Sequence, residues 1–142
     1  MAKALVAAKA AGERGEVPVG AVLVKDRRVI AAAGNRTLSD SDPTAHAEIV
    51  AMRAAALFFR NSRLSGCDLY VTLEPCAMCA CAISHARIRR LYFGAYDPKG
   101  GAVENGPRLF SSTAVHHRPE VYGGIDESAC ALLLRSFFSE RR

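Results

Sequence analysis

The sequence predicts an α/β domain of three layers, α-β-α, with a central mixed five-stranded sheet between helices. Apolar, β-branched-rich runs alternate along the chain with stretches of helical spacing. Two of the helical stretches open on an acid–proline pair, Asp42-Pro43 and Glu74-Pro75, the sign of an N-cap followed by a first-turn proline. The resulting order, α-β-β-α-β-α-β-β-α, points to helices packed on both faces of one mixed sheet.

The elements follow in turn. Ala2 to Arg14 reads as a helix closed by Gly15. Val19 to Lys25 and Val29 to Ala33 are short apolar runs separated by Asp26-Arg27-Arg28, which predicts a hairpin. A polar loop, Asn35 to Asp42, leads to a helix over Thr44 to Phe59, where Ile49, Met52, Ala56 and Phe59 recur at three- and four-residue steps. Asp68 to Leu73 is a third strand, and Cys76 to about Ala86 a helix. Arg90 to Ala95 is a fourth strand, Tyr96 to Pro107 a glycine-rich loop, Glu120 to Tyr122 a short fifth strand, and Asp126 to Glu140 a closing helix.

A chain of 142 residues suits one domain, taken here as residues 1–142, and is long enough to bury a core without staples. With 50% hydrophobic and 23% charged residues it is not a disordered composition. No stretch approaches the roughly 20 apolar residues of a membrane span. Lys3, Lys9, Glu13 and Arg14 interrupt the alanine-rich start, unlike the apolar centre of a signal peptide, so a cytoplasmic protein is expected. An odd number of cysteines, 5, in such a chain argues against a disulfide framework and leaves thiols for a metal. The net charge is +5, and the second half presents Arg87, Arg89, Arg90, Lys99, Arg108, Arg118, Arg135, Arg141 and Arg142. Such a surface attracts phosphate chains, although charge alone does not separate nucleic-acid binding from plain solubility.

The chemistry gathers at His46-Ala47-Glu48 and Pro75-Cys76-Ala77-Met78-Cys79. Cysteines at i and i+3 are about 300° apart on a helix, so both sulfurs share one face. In a first turn, free N–H groups and the helix dipole favour thiolate over thiol. His46, expected in the first turn of its own helix, is the natural third ligand of a zinc ion. Three protein ligands leave the fourth tetrahedral position to water, the mark of a catalytic zinc. Glu48, about 200° around the helix from His46, is poorly placed to share the metal and well placed to take a proton from that water.

Other readings exist for each part. A Cys-x-x-Cys alone is equally a redox pair, half of a structural zinc site or a packed helix face. A structural site needs a fourth ligand, for which Cys81, Cys67, Cys130 and His85 are candidates. Cys81 falls nearly opposite Cys79 on the helix and reads as core, as do Cys67 and Cys130. Taken together, His-x-Glu and Pro-Cys-x-x-Cys form the signature of zinc nucleobase deaminases.

With these motifs the chain resembles the bacterial tRNA-specific adenosine deaminases of the cytidine deaminase superfamily. The likeness runs through Val17 to Val24, Gly34-Asn35-Arg36, Asp42 to Ile49, Tyr70 to Cys79, Ala86-Arg87-Ile88, Phe93-Gly94-Ala95, Asp97 to Ala102, His117-Arg118 and Phe137-Phe138. The metal motif alone gives only the superfamily. The loop from Gly94 to Ala102 and the ending from Phe137 to Arg142 narrow it, since they look like this family's RNA-facing parts.

The resemblance implies a cytidine deaminase-like fold, a zinc cofactor, a homodimer, and hydrolysis of the wobble adenosine of a tRNA anticodon to inosine, with an arginine acceptor as substrate. It implies that Asn35 bonds the flipped base or its ribose, that Asp97 and Lys99 meet the flanking nucleotides, and that Phe138 with the terminal arginines contacts the anticodon loop. Read alone, Asn35 beside Gly34 is also a turn residue, and one of Phe137 and Phe138 is expected in the core. Cys81 stands where the family commonly has glycine, and Ser111 to His116 matches poorly. In the implied reaction Glu48 takes a proton from the water that attacks C6, gives it to the purine ring nitrogen, and then supplies the leaving ammonia. The alternatives are a deaminase of free cytosine, guanine or a nucleotide; a structural zinc module that binds RNA; and a thiol oxidoreductase using Cys76 and Cys79.

Overall fold

The computed structural model describes residues 1–141, so Arg142, one of the expected RNA contacts, lies outside the described residues. The chain order is α1 (Ala2–Glu13), β1 (Gly20–Lys25), β2 (Arg28–Gly34), α2 (Ala47–Phe59), β3 (Asp68–Leu73), α3 (Ala77–His85), β4 (Arg90–Ala95), a short 3-10 turn (Leu109–Ser111), β5 (Glu120–Tyr122) and α4 (Glu127–Ser139).

One sheet of five strands runs in the order β2-β1-β3-β4-β5. β1 pairs antiparallel with both β2 and β3, while β3–β4 and β4–β5 are parallel, so the sheet is mixed as expected. The hairpin turns on Asp26 (φ 50°) and Arg27 (φ 64°), both left-handed, with Lys25 facing Arg28. Positive φ at both central residues belongs to the two-residue turn whose twist matches the strands.

α1 packs on β1, β2, β3 and α4, and α4 on β3 and β4; α2 lies with α3 and against β1, β2 and β3. Helices therefore cover both faces. Successive strand residues alternate between the layers. Ala21, Leu23, Leu69, Val71, Leu91 and Phe93 join Ala51, Ala55, Ala80 and Ile83 in the main core. On the opposite face Gly20 lets α1 approach so closely that a Cβ there would run into the Ala4 carbonyl oxygen. No helix among the described residues is long and apolar enough to cross a membrane.

The helix starts differ from expectation. Asp42 does not cap α2; its Oδ1 accepts from Thr44 N (2.9 Å) and Thr44 Oγ1 (2.7 Å), a local turn that delays the helix to Ala47. α3 likewise begins at Ala77. A carboxylate before proline can close its own backbone turn as readily as it can cap a helix.

Candidate active site

Both metal-ligand helices begin at the same edge of the sheet, where β3 and β4 end. Cys76 is the N-cap of α3, with extended backbone (φ −73°, ψ 176°), and His46 holds the same position on α2 (φ −68°, ψ 154°). Each thus sits one step before the helix and not in its first turn, a correction to the sequence reading. The convergence survives for a physical reason: an N-cap side chain folds back over the first turn, toward the residue at N3. For Cys76 that residue is Cys79.

His46 Nδ1 lies 3.6 Å from Cys76 Sγ and 3.5 Å from Cys79 Sγ. All three donor atoms fall within 4.8 Å of one another. With Zn–S near 2.3 Å and Zn–N near 2.0 Å, tetrahedral angles put nitrogen and sulfur ligands about 3.5 Å apart, so the donor set fits zinc. Among the described residues no fourth His, Cys, Asp or Glu joins this cluster. Cys67 and Cys130 are buried in the core, and Cys81 and His85 line a separate cavity of about 90 Å³ with His116.

The two sulfurs are unequal in the metal-free protein. The Cys79 thiol, together with backbone amides at the start of α3, brings the Cys76 thiol down to about 5. Its hydrogen bond with Cys76, together with burial, pushes the Cys79 thiol upward. The pair therefore keeps one proton between them, which a dication binding both sulfurs displaces.

Glu48 is only 4% exposed, in the first turn of α2. Burial raises its carboxyl above the usual range, and the charge of Cys76 adds to the effect. A buried carboxyl so disposed holds and releases protons nearer neutral pH than a surface one.

A cavity of about 290 Å³ brings together Asn35, His46, Glu48, Cys76, Asp97 and Gly100. Asn35 Oδ1 accepts a hydrogen bond from Ala47 N at 2.8 Å, so its carbonyl is spent on the start of α2 and its amide nitrogen is what remains for a ligand. Asp97 Oδ1 accepts from Lys99 N (3.1 Å) and Gly100 N (2.9 Å), shaping the turn that forms the cavity wall. Lys99 and Phe138 are not in this cavity. They line a broader depression of about 790 Å³ on the outer side of that turn, with Arg135 and Arg141. Phe137 is the core member of the aromatic pair at 9% exposure, and Phe138 stands out at 48%. Arg141 leans back over the Phe137 ring, 3.5 Å from its centroid, and donates to the Phe137 carbonyl at 3.2 Å.

Two site carboxylates escaped the sequence reading. Glu16 and Glu74, 1% and 2% exposed, hold the loops on either side of the cavity through hydrogen bonds from backbone amides. No local pattern marks Glu16, and the Glu74-Pro75 pair points to a helix start instead, because the partners of both lie more than twenty residues away.

This fold with a His-Cys-Cys donor set defines the zinc-dependent nucleobase deaminases. Residues 1–95 match the family described as the cytidine and deoxycytidylate deaminase zinc-binding region. The tRNA-specific adenosine deaminase of Agrobacterium fabrum is 63% identical over 142 residues, covering 100% of this chain and 93% of that protein. A solved structure from work on A-to-I editing by tRNA:A34 deaminases at the wobble position of transfer RNA superposes with a TM-score of 0.94 at 63% identity, covering 94% of this chain and 97% of that one. The guanine deaminase of Bacillus subtilis is more distant, with a TM-score of 0.64 and 38% identity over 67% of this chain and 61% of its own. The chain belongs to the tRNA-specific adenosine deaminases, within the cytidine and deoxycytidylate deaminase family.

Proposed function

We propose that residues 1–142 act as one deaminase domain that converts the wobble adenosine of a transfer RNA anticodon to inosine, releasing ammonia. The observation that carries the reading is the donor triangle of His46, Cys76 and Cys79 with the buried Glu48 beside it, in a chain that matches a tRNA-specific adenosine deaminase end to end. Zinc held by those three side chains supplies a Lewis acid and a water acidic enough to give hydroxide at neutral pH.

The remaining work falls to the protein. Glu48 takes a proton from the attacking water and delivers it to ring nitrogen N1 of the adenine. It then takes the second proton from the new C6 hydroxyl and passes it to the amine, which leaves as ammonia as the C6 carbonyl forms. The amide nitrogen of Asn35 donates to the base or its ribose. Asp97 and Lys99 meet the nucleotides on either side, and Phe138 contacts the anticodon loop. The cavity of about 290 Å³ admits a single base, so the target must be splayed out of its stack, which costs least for an unpaired loop nucleotide. The broader depression, bordered by Lys99, Arg135 and Arg141, suits a phosphate chain.

An arginine-accepting transfer RNA is the substrate that the family resemblance implies, and the cytoplasm is the setting. A homodimer is supported by apolar side chains in the open on α2 and α3, with Leu57 at 80%, Phe58 at 68% and Met78 at 36% exposure. Mass spectrometry of anticodon fragments from treated transfer RNA tests the activity and expects inosine in place of the wobble adenosine. Ammonia release from free guanine or cytosine, with transfer RNA left untouched, would transfer the site to a small-molecule deaminase.

A further inference from the structure

Glu74 stands between the end of β3 and the start of α3, two residues before Cys76, and is 2% exposed. Among the described residues no Lys, Arg or His pairs with it. N–H groups from one loop meet its charge instead. Oε2 accepts from Val103 N (3.1 Å), Glu104 N (2.8 Å) and Asn105 N (3.0 Å), and Oε1 from Asp97 N (3.0 Å) and Asn105 Nδ2 (2.7 Å).

A carboxylate offers about four lone-pair positions, so donors from the protein already saturate this one. Although it borders the catalytic cavity, it has nothing left with which to move a proton or hold a substrate. Its work is on the loop. Gly101 is fitted to it, since a Cβ there would lie 2.5 Å from Glu74 Cδ. Apart from Glu74, the segment has its own turn bonds, from Lys99 N and Gly100 N to Asp97 Oδ1 and from Gly101 N to Asp97 O, together with Ala102 N to Pro75 O (2.9 Å) and Leu109 N to Ala102 O (2.8 Å). The same loop carries Asp97 and Gly100 on the cavity and Lys99 on the outer depression.

We propose that Glu74 is a positioning residue that fixes the Asp97–Lys99 wall against the nucleotides flanking the target base, and so sets affinity for RNA and not the rate of the chemical step. This rests on the RNA reading of the site above. A buried anion satisfied only by amides suits the task, because charge-assisted bonds from several N–H groups fix the loop backbone beyond what burial of Ala102 and Val103 does.

The test is Glu74→Gln in the zinc-loaded protein, since glutamine keeps the shape and turns one acceptor into a donor facing N–H groups. Amide hydrogen exchange should quicken at least about tenfold at Asp97, Val103, Glu104 and Asn105 and stay unchanged in α2 and β3. With an anticodon stem-loop as substrate, KM should rise about tenfold while kcat stays within about twofold and zinc content is kept. A variant with faster loop exchange and an unaltered KM would overturn the proposal, as would a loss confined to kcat. Should Glu74→Gln fail to fold, Asn105→Ala, which removes a single donor, should give the same KM-only pattern at about threefold, and a flat KM there counts equally against it. A wild-type protein that leaves the stem-loop unedited would sink the RNA reading itself, while unchanged exchange rates in the variant would show that Glu74 does not hold the loop.

Discussion

Asn35 Oδ1 and the Ala47 amide, 2.8 Å apart, join the end of β2 to the first turn of α2. The bond supplies what His46 cannot. As N-cap residue, His46 would ordinarily offer its side chain to the first-turn N–H groups, but its imidazole is turned toward Cys76 and Cys79. An asparagine from another element caps the helix in its place. Its two amide atoms thus have separate duties, and substitution can part them. Asn35→Asp keeps the acceptor and loses the donor: thermal stability should hold while KM for the RNA rises. Asn35→Ala loses both and should also destabilise the fold by about 1 kcal/mol, readable by urea denaturation.

Glu48 is buried beside the donor triangle and outside it. Glu48→Ala should retain zinc and fold and lose deamination by a factor of at least about 10³, within the range expected of a general acid–base group that acts more than once. The readouts are metal content, circular dichroism and inosine formation on the same preparation. Near wild-type turnover would remove Glu48 from the proton path.

Much of this arrangement is legible in the residues. Asp68–Leu73, Arg90–Ala95 and Glu120–Tyr122 form strands with the expected bounds, because short β-branched and aromatic runs between turn residues leave little choice. The metal donors are legible from residue type and spacing. What is not legible is which distant amide a carboxylate will serve. Asp42 and Glu74 carry the same signal, an acid before proline, yet one closes a local turn and the other anchors a loop that follows a further helix and strand. Glu16, just past the first helix, carries no signal in the sequence and proves to be buried under the 37–39 loop. Tertiary packing decides these cases.

The unequal thiols give a prediction about the metal-free protein. With the Cys76 thiol brought down to about 5, chelator-treated protein should be alkylated first at Cys76 at pH 6, with Cys79 lagging because it keeps the shared proton. Zinc should protect both sulfurs and suppress the reaction. Mass mapping of the alkylated peptides checks the order, and equal labelling of the two cysteines would contradict it. Chelation should abolish deamination as well, and added zinc should restore it.

Glu16 ties acid stability to the other wall of the cavity. Oε2 accepts from Ser39 N and Ser39 Oγ, both at 2.8 Å, and Oε1 from Leu38 N at 3.2 Å and Thr37 Oγ1 at 3.3 Å. Burial works against the charge, but these donors outweigh it and leave the carboxyl below its usual value, as they do for Glu74. A carboxyl lowered on folding binds its proton more readily in the unfolded chain. Its stabilisation is therefore fully present above the unfolded value, near pH 4.3, and drains away as pH falls through the lower folded value. The difference in urea midpoint between wild type and Glu16→Gln should accordingly be flat from pH 7 to about 5 and shrink below about pH 4. Glu16→Gln should start less stable at pH 7 and lose less on acidification, since it has no proton to take up at that position. If the variant and the wild type fell in parallel, the Glu16 carboxylate would not be a source of the acid sensitivity.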